Sequence, residues 1–273
     1  MAKLLKLFLN ISVVLCLFSC QTKREKAEAS YKFGLTNFEQ GSAGSINGIA
    51  RAIEIDSTYE QAVYELSVGY LKRGLPHKWK EQYDKAVPLD SISRIPWRGY
   101  LYLWFYRDYK KAIADFDASD TLTPNFLDQP QGHSVDYWRG IAYLGLKDYD
   151  NSIAYFDKYI NQEIEESGED WVELTAFLYR GIAYYETGDL EKALYNFNKR
   201  LEHGRSTSAD AKYYKALIAQ KQGDLALAKE LVNSAIDDFK QGYFNNRPYV
   251  ETLRQIYLED LQTLKLELHD ENA

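Results

Sequence analysis

The sequence is poor in the residues that most often carry enzyme chemistry. It has two cysteines and four histidines in 273 residues, and the histidines are scattered at His77, His133, His203 and His269. No His-Glu-x-x-His, Gly-x-Ser-x-Gly or Cys–His arrangement occurs. The sequence therefore predicts no catalytic residue, no cofactor and no metal site, and we expect a protein that is not an enzyme.

Long apolar runs are also scarce. The one candidate, Leu7 to Phe18, is apolar apart from Asn10 and Ser12, and it follows the basic residues Lys3 and Lys6. This run is too short to span a bilayer as a helix. A basic start followed by a short apolar stretch is typical of a secretory signal.

The apolar run ends in Leu17-Phe18-Ser19-Cys20, which resembles a bacterial lipobox. We predict a signal peptide over residues 1–19 and lipid attachment at Cys20; the alternative is a plain signal peptide with an incidental cysteine. Cleavage there removes Cys16 and leaves no disulfide and no thiolate metal site. Several acyl chains on one cysteine anchor a protein durably in a membrane. The residue after the cysteine is Gln21, and not the aspartate that favours inner-membrane retention in some bacteria. This favours the outer membrane, with the protein facing the periplasm.

Positive charge is in deficit. The formal net charge is -7, and loss of Lys3 and Lys6 with the signal peptide makes it -9 (-7 - 2). A negative balance argues against a general nucleic-acid binder. Charged residues at 27% and hydrophobic residues at 45% are ordinary for a folded protein.

Residues 137–160 contain two short amphipathic stretches separated by a tight turn, and this arrangement recurs. Gly140 is followed twelve residues later by the small Ser152. Gly181 with Ala193 and Ala216 with Ala228 are spaced by twelve residues as well, and Gly99 with Ala112 by thirteen. Before each second stretch stands a candidate N-cap: Asp108, Asp148, Asp189 or Asp224. Helical hairpins repeated at 35–41 residues predict an α-solenoid.

The chain divides accordingly. Residues 20–29 are polar and predict a tether, or a solvated extension of the first helix; residues 30–238 predict the solenoid. The glycine run at 41–48 predicts a loose turn and a weakly helical start to the next helix. The second repeat is irregular, with Trp79 where a small residue is expected. Residues 247–268 carry an apolar stripe that predicts a helix capping the last repeat, with a free docking helix as the alternative.

Two sets of charged residues can be interpreted either structurally or functionally. The acidic run from Glu163 to Asp170 predicts a solvated helix end, or else a patch for a basic partner or a divalent-ion site. A cationic residue precedes the small residue of each later repeat, at Arg98, Arg139, Arg180 and Lys215. We expect these cations to pair within their own repeats, with Asp115 the candidate partner of Arg98; the alternative is recognition of an acidic ligand.

The repeats resemble the tetratricopeptide repeat family from about Ser30 to Ile236. An aromatic, a glycine and a later tyrosine recur on the first helices as Trp97-Gly99-Tyr102, Tyr137-Gly140-Tyr143 and Tyr179-Gly181-Tyr184. On the second helices, a small residue is followed by phenylalanine in Ala112-Phe116, Ser152-Phe156 and Ala193-Phe197. The resemblance implies an all-α fold, a right-handed solenoid of five to six helical hairpins with a C-terminal capping helix.

The resemblance also implies a groove lined by the first helices, where a protein segment or helix binds. The family's groove positions map to Tyr64, Tyr100, Trp104, Tyr137, Ile141, Leu144, Leu178, Ile182, Tyr185, Tyr213 and Leu217. The Lys/Asn set with which chaperone-binding members hold a C-terminal carboxylate is missing. The alternative for each residue is packing against a neighbouring helix.

These observations predict a lipid-anchored adaptor of the bacterial cell envelope that binds a protein partner, with membrane attachment through Cys20 and no nucleic acid. Two alternatives stay open. The first is glycan binding, because Trp97, Tyr100 and Trp104 share one helix face on which sugars could stack. The second is a subunit of an outer-membrane protein assembly complex, suggested by length and repeat type.

Overall fold

The structure, a computed structural model, describes residues 21–270. Thirteen α-helices run through this range, and the predicted all-α class is confirmed. The helices are α1 (Lys23–Thr36), α2 (Ala43–Ile55), α3 (Glu60–Lys72), α4 (Pro76–Ala86), α5 (Ser91–Leu101), α6 (Tyr109–Leu122), α7 (Val135–Gly145), α8 (Tyr149–Glu166), α9 (Leu174–Thr187), α10 (Leu190–His203), α11 (Ala209–Lys221), α12 (Leu225–Lys240) and α13 (Leu258–Asp270). The predicted signal peptide and Cys20 lie outside the described residues.

Two compact units divide at Arg94 and Ile95, inside α5. The first holds the hairpins α1–α2 and α3–α4. The second holds the end of α5, a π-helical turn at Tyr102–Tyr106, α6, and the hairpins α7–α8, α9–α10 and α11–α12, followed by α13. None of the helices within residues 21–270 combines the length and the apolar character needed to cross a bilayer.

The small residues allow the two helices of a hairpin to pack closely, as predicted. The Ser152 hydroxyl donates a hydrogen bond of 2.8 Å to the Gly140 carbonyl in the facing helix. A Cβ on Gly140 would lie 2.9 Å from the ring of Phe156, and one on Gly181 would lie 2.7 Å from the ring of Phe197. The glycine of the first helix therefore makes room for the phenylalanine of the second.

The predicted N-caps are confirmed. Asp148 accepts from the backbone N–H of Asn151 at 3.3 Å, and Asp108, Asp189 and Asp224 cap α6, α10 and α12 in the same way. The residue before each cap is left-handed. It is glycine in the last two hairpins, Gly188 (φ 85°) and Gly223 (φ 81°), but Arg107 (φ 54°) and Lys147 (φ 61°) in the two before.

Local capping fixes where the first two helices begin. Helix α1 begins at Lys23, because Thr22 and Glu25 form a capping box, so residues 23–29 extend the first helix, which was the predicted alternative to a tether. Most of the glycine run belongs to α2, which Ser42 caps. A Cβ on Gly48 would lie 2.6 Å from the Gly34 Cα, so this glycine lets α1 and α2 approach. Trp79 is fully buried in α4.

The C-terminal helix is shorter than predicted. Helix α13 begins at Leu258, not at residue 247, because Tyr249 (φ 71°) and Arg254 (φ 55°) have left-handed backbones that interrupt a helix. The capping role is seen in the shorter helix, since Leu264 and Leu268 pack on Ala216, Ala228 and Val232 of the last hairpin. Residues 243–257, here named the C-terminal segment, lie between α12 and α13 and do not belong to the capping helix.

Candidate protein-binding face

Most of the predicted groove residues lie on the first helices of the hairpins in the second unit. These elements are the end of α5 with the π-helical turn, then α7, α9 and α11. We call the surface that these elements share the first-helix face. Its residues are aromatic and apolar, as the sequence predicts, but they are not open to solvent.

The C-terminal segment covers this face. Arg247 Nη2 donates a hydrogen bond of 2.9 Å to the Tyr100 hydroxyl at the end of α5. Asn245 Nδ2 donates one of 2.9 Å to the Tyr179 hydroxyl on α9. Arg254 pairs with Glu186 at 3.1 Å, also on α9. The segment therefore contacts successive first helices, where the family resemblance predicted a partner.

Arg247 occupies a box of three aromatic rings. Its guanidinium carbon lies 4.7 Å from the centroid of the Trp104 ring, 5.2 Å from that of Trp138 and 5.6 Å from that of Tyr100. Trp104 and Trp138 are perpendicular, with an interplanar angle of 89°. Cation–π attraction at such distances is strongest where water is excluded. Within residues 21–270, no carboxylate lies within salt-bridge distance of Arg247, so the rings and one hydroxyl hold the charge.

Both ends of the C-terminal segment are anchored to the last hairpin. The backbone N–H of Asn245 donates to Asp210 Oδ2 at 2.7 Å, and the Phe244 ring stacks on that of Phe239 at 4.3 Å. At the other end, Ile256 is buried with Leu261. Burial raises the pKa of Asp210 to about 6, because a carboxylate in an apolar surrounding loses its hydration.

The middle of the segment is stabilised mainly by bonds within itself. Gln255 accepts from the Thr252 hydroxyl at 2.8 Å, and its own amide donates to the Asn245 carbonyl at 3.2 Å. Arg247 and Val250 form an isolated bridge. Tyr249, at the tip, is 79% exposed. The segment is therefore a closed loop with its own hydrogen bonds, of the kind called an Ω-loop.

The deeper layer of the face is a polar and aromatic network. The hydroxyls of Tyr137 and Thr175 lie 2.5 Å apart, and the rings of His133 and Tyr137 are 4.9 Å apart. Burial lowers the pKa of His133; the Glu173 carboxylate acts against this shift, and the positive charge of Arg247 acts with it. The imidazole therefore favours its neutral form while the C-terminal segment is in place.

The structure buries most of the predicted partner contacts. Seven are 7% exposed or less: Tyr100, Trp104, Tyr137, Ile141, Leu144, Leu178 and Ile182. Three are half-buried: Tyr185, and Tyr213 and Leu217, which pack with the clusters that α13 completes. Tyr64 lies in the first unit, half-buried, with the Arg94 guanidinium 3.8 Å from its ring centroid. Contact of these residues with a partner stays a prediction, and for Tyr100 and Trp104 it requires the segment to leave.

The cationic series pairs within the protein, but three of its four members reach the preceding hairpin and not only their own repeat. Arg98 forms a two-point pair with Asp115 at 2.7 and 2.8 Å, the partner predicted for it. Arg139, 1% exposed, reaches Asp136 on its own helix, and Asp117 and Asp120 on α6. Arg180 on α9 pairs with Asp157 on α8 at 2.6 Å, and Lys215 bonds to Asn198.

The acidic run is a helix end, which was the first of its predicted interpretations. Helix α8 continues to Glu166, and Glu169 in the following turn pairs with Lys199 of α10 at 2.9 Å. His203 also lies 3.0 Å from Asp170. These contacts join two hairpins and neutralise part of the run.

The sequence analysis missed Trp138, Asn245 and Arg247. Trp138 was visible beside Tyr137 but does not fall on a family groove position. The sequence signal for the segment is weak: a polar stretch, Asn245-Asn246-Arg247-Pro248, spans the predicted start of the capping helix at residue 247.

Comparison with known families identifies the repeats. Residues 133–206, which cover α7 to α10, match the sequence model of the family described as Tetratricopeptide repeat. This chain contains tetratricopeptide repeats. No curated protein matches its sequence.

Solved structures support the same fold. The crystal structure of PilW, described as a widely conserved type IV pilus biogenesis factor, is similar with a TM-score of 0.61 and 17% identity, covering 90% of this chain and 99% of that one. Pseudomonas aeruginosa PilF has a TM-score of 0.60 and 18% identity, covering 90% and 100%. YrrB, described as a tetratricopeptide repeat protein with an unusual peptide-binding site, has a TM-score of 0.51 and 20% identity, covering 72% and 93%. The TM-scores show that the chain shares the helical solenoid fold of these proteins.

Proposed function

We propose that this protein is a lipid-anchored scaffold of the cell envelope that binds a protein partner at the first-helix face of its second unit. The observation that carries the proposal is the match of residues 133–206 to tetratricopeptide repeats, in a chain that begins with a predicted lipoprotein signal. Such repeats present extended surfaces made of stacked hairpins, and these surfaces suit other polypeptides better than small molecules.

The descriptions of the similar structures agree with an envelope role and with a peptide partner. PilW is described as a pilus biogenesis factor and YrrB as having a peptide-binding site. An envelope role agrees with the first, and a peptide partner agrees with the second. At 17–20% identity these proteins share the fold, so the partner itself has to be found by experiment.

Glycan binding has less support. The rings suggested for sugar stacking include Tyr100 and Trp104, which are 7% and 2% exposed beneath Arg247. A sugar can stack only on an open ring face. A protein segment, in contrast, can take the place of the C-terminal segment that covers these rings.

Membrane attachment is tested by substituting the predicted lipid site. In cells fed an alkyne fatty acid, we expect the wild type to be labelled and to sediment with membranes. We expect Cys20→Ser to lose the label and to move to the soluble fraction. An unlabelled wild type would contradict lipidation at Cys20.

Partner binding is tested by photo-crosslinking of the full chain in its native host. A photoreactive phenylalanine analogue replaces Tyr249, which is exposed at the tip of the C-terminal segment, or Tyr195, which is 54% exposed on the second helix α10. We expect a distinct adduct from position 249 and not from the matched position 195. The same adducts from both positions, or none from 249, would count against a partner at the first-helix face.

A further inference from the structure

The C-terminal segment indicates the chemistry of the ligand that the first-helix face accepts. We propose that the box formed by Tyr100, Trp104 and Trp138 is a binding site for an arginine side chain of an extended partner segment. In the structure described here Arg247 fills the box as an intramolecular ligand. This inference rests on the proposed function, because it names the partner class for the same face.

The way in which Arg247 is held fits an exchangeable ligand. Arg139, a structural arginine of the same unit, is 1% exposed and pairs with three carboxylates. Arg247 has three ring faces and the Tyr100 hydroxyl. A planar guanidinium suits stacking on aromatic faces, and Arg is more weakly hydrated than Lys. The box therefore recognises the shape and charge of arginine without an ion pair that would fix it permanently.

Four polar contacts join the face to the part of the segment that would have to move, and Thr252 and Leu253 of this part are buried. Its polar cross-connections are Arg247 to Tyr100, Asn245 to Tyr179, Arg107 to the Glu251 carbonyl, and Arg254 to Glu186. The bonds between Thr252, Gln255 and Asn245 lie within the segment and would move with it. The anchors at Phe244 and Ile256 pack on the last hairpin and need not move.

Charge favours a basic occupant. At the other end of the segment Glu186 accepts a second arginine, Arg254, so the face already accommodates two guanidinium groups seven positions apart in the chain. The sequence as a whole carries a formal charge of -7. The Glu186 carboxylate therefore favours an arginine-bearing segment over an acidic one at that end of the face.

The test is direct titration of a fluorescent peptide copy of residues 243–257, followed by anisotropy. The receptor is the chain from residue 20 with Cys20→Ser, either otherwise wild type, with Arg247→Ala, or with Arg51→Ala as a matched control. Arg51 is an exposed arginine of the first unit that pairs only with Glu54. The peptide is also made with Arg247→Ala and with Arg247→Lys.

We expect the arginine peptide to bind the Arg247→Ala chain about 3- to 30-fold more tightly than the wild type, because cation–π contacts of the internal competitor are lost. The Arg51→Ala chain should bind like the wild type. Against the Arg247→Ala chain, the alanine peptide should bind more weakly than the arginine peptide by a similar factor, and the lysine peptide should lie between them.

Equal affinity of the arginine peptide for the wild-type and Arg247→Ala chains would overturn the proposal. So would equal binding of the arginine and alanine peptides. If the Arg247→Ala chain fails to fold, the peptide series against the wild type decides alone, since a box specific for arginine must separate the peptides. A crosslink from position 249 together with no peptide discrimination would leave a partner at the face and remove the arginine box. Peptide discrimination without any crosslink would support the arginine box and count against a partner at the first-helix face.

Discussion

Arg247 donates a hydrogen bond of 2.9 Å to the hydroxyl of Tyr100, although 147 positions separate the two residues in the chain. This bond joins the segment after the last hairpin to the first aromatic residue of the second unit's predicted groove. A solenoid repeat normally contacts only its neighbours. The Arg247–Tyr100 contact is therefore an addition to the repeat architecture, and it places the chain's own segment where a ligand is expected.

The closeness of the paired helices predicts a large cost for adding a single methyl group. Gly140→Ala places a Cβ 2.9 Å from the ring of Phe156, which is fully buried. Overpacking of this kind costs about 1–3 kcal/mol. We expect urea unfolding to show a loss in that range.

Gly69→Ala is the matched control. It also adds a methyl group to a glycine within a first helix, α3, but the nearest heavy atom outside the helix is 3.6 Å away. Here the better helix propensity of alanine should dominate, with a gain of up to about 1 kcal/mol. Equal effects of the two substitutions would show that helix propensity, and not the close approach to Phe156, decides the outcome at Gly140.

The left-handed residue before each cap gives a second prediction with opposite signs at two equivalent positions. Lys147 (φ 61°) should gain about 0.5–1 kcal/mol on substitution by glycine, because a left-handed backbone strains a residue with a Cβ. Gly188 (φ 85°) should lose about 1 kcal/mol on substitution by alanine. Thermal melts of the two single variants measure both changes; a loss at Lys147→Gly would mean that its side chain contributes more than its backbone costs.

The hairpins of this fold could be predicted from the sequence because their determinants are local. The Asp148 cap and the Gly140–Ser152 seam depend on residues within about one hairpin, so their spacing in the chain fixes their contact in space. The same holds for Arg98 and Asp115. The class of fold followed from the recurrence of these features.

The candidate site could be predicted only in part, because its decisive contacts are not local. The positions of Tyr100 and Trp104 on a first helix were predicted, but their contact with Arg247, far along the chain, was not. Helical periodicity favoured a helix from residue 247, and the left-handed Tyr249 and Arg254 that prevent it leave no signature in composition. For Arg139, a pairing within its own repeat was expected, whereas two of its three carboxylates belong to the preceding helix.

The Arg139 cluster leads to a third prediction. Arg139→Met should destabilise the chain by about 3 kcal/mol, because the fully buried Asp136 loses one of its two cationic partners and keeps only Lys158, at 2.7 Å. The double variant Arg139→Met with Asp136→Asn should cost less than the sum of the single changes, with a coupling of about 2 kcal/mol. Arg51→Met, which breaks a surface pair that is 65% exposed on both sides, is the control and should cost less than about 1 kcal/mol. Additive costs at Arg139 and Asp136 would show that the two groups do not depend on each other.

Asp210 predicts an unusual pH dependence, because it anchors the C-terminal segment and is buried. Its pKa is raised from 3.8 to about 6 by burial. A carboxyl whose pKa is higher in the folded state holds its proton more tightly there. Its contribution to stability is therefore fully present below pH 3.8 and is lost as the pH rises through about 6. At neutral pH the ionised group then costs at most about 3 kcal/mol, at 1.36 kcal/mol per unit of pKa difference.

Asp210→Asn keeps an oxygen that can accept from the Asn245 backbone N–H, now at 2.7 Å, and it removes the titration. We expect the free energy of unfolding of the variant minus that of the wild type to increase by up to about 3 kcal/mol between pH 4 and pH 7.5. His133, with its lowered pKa, has the opposite dependence and loses stability on acidification, but it is present in both proteins and cancels in their difference. Urea unfolding of the two proteins at several pH values measures this difference. A constant offset across that range would mean that Asp210 titrates in the folded protein as it does in the unfolded chain.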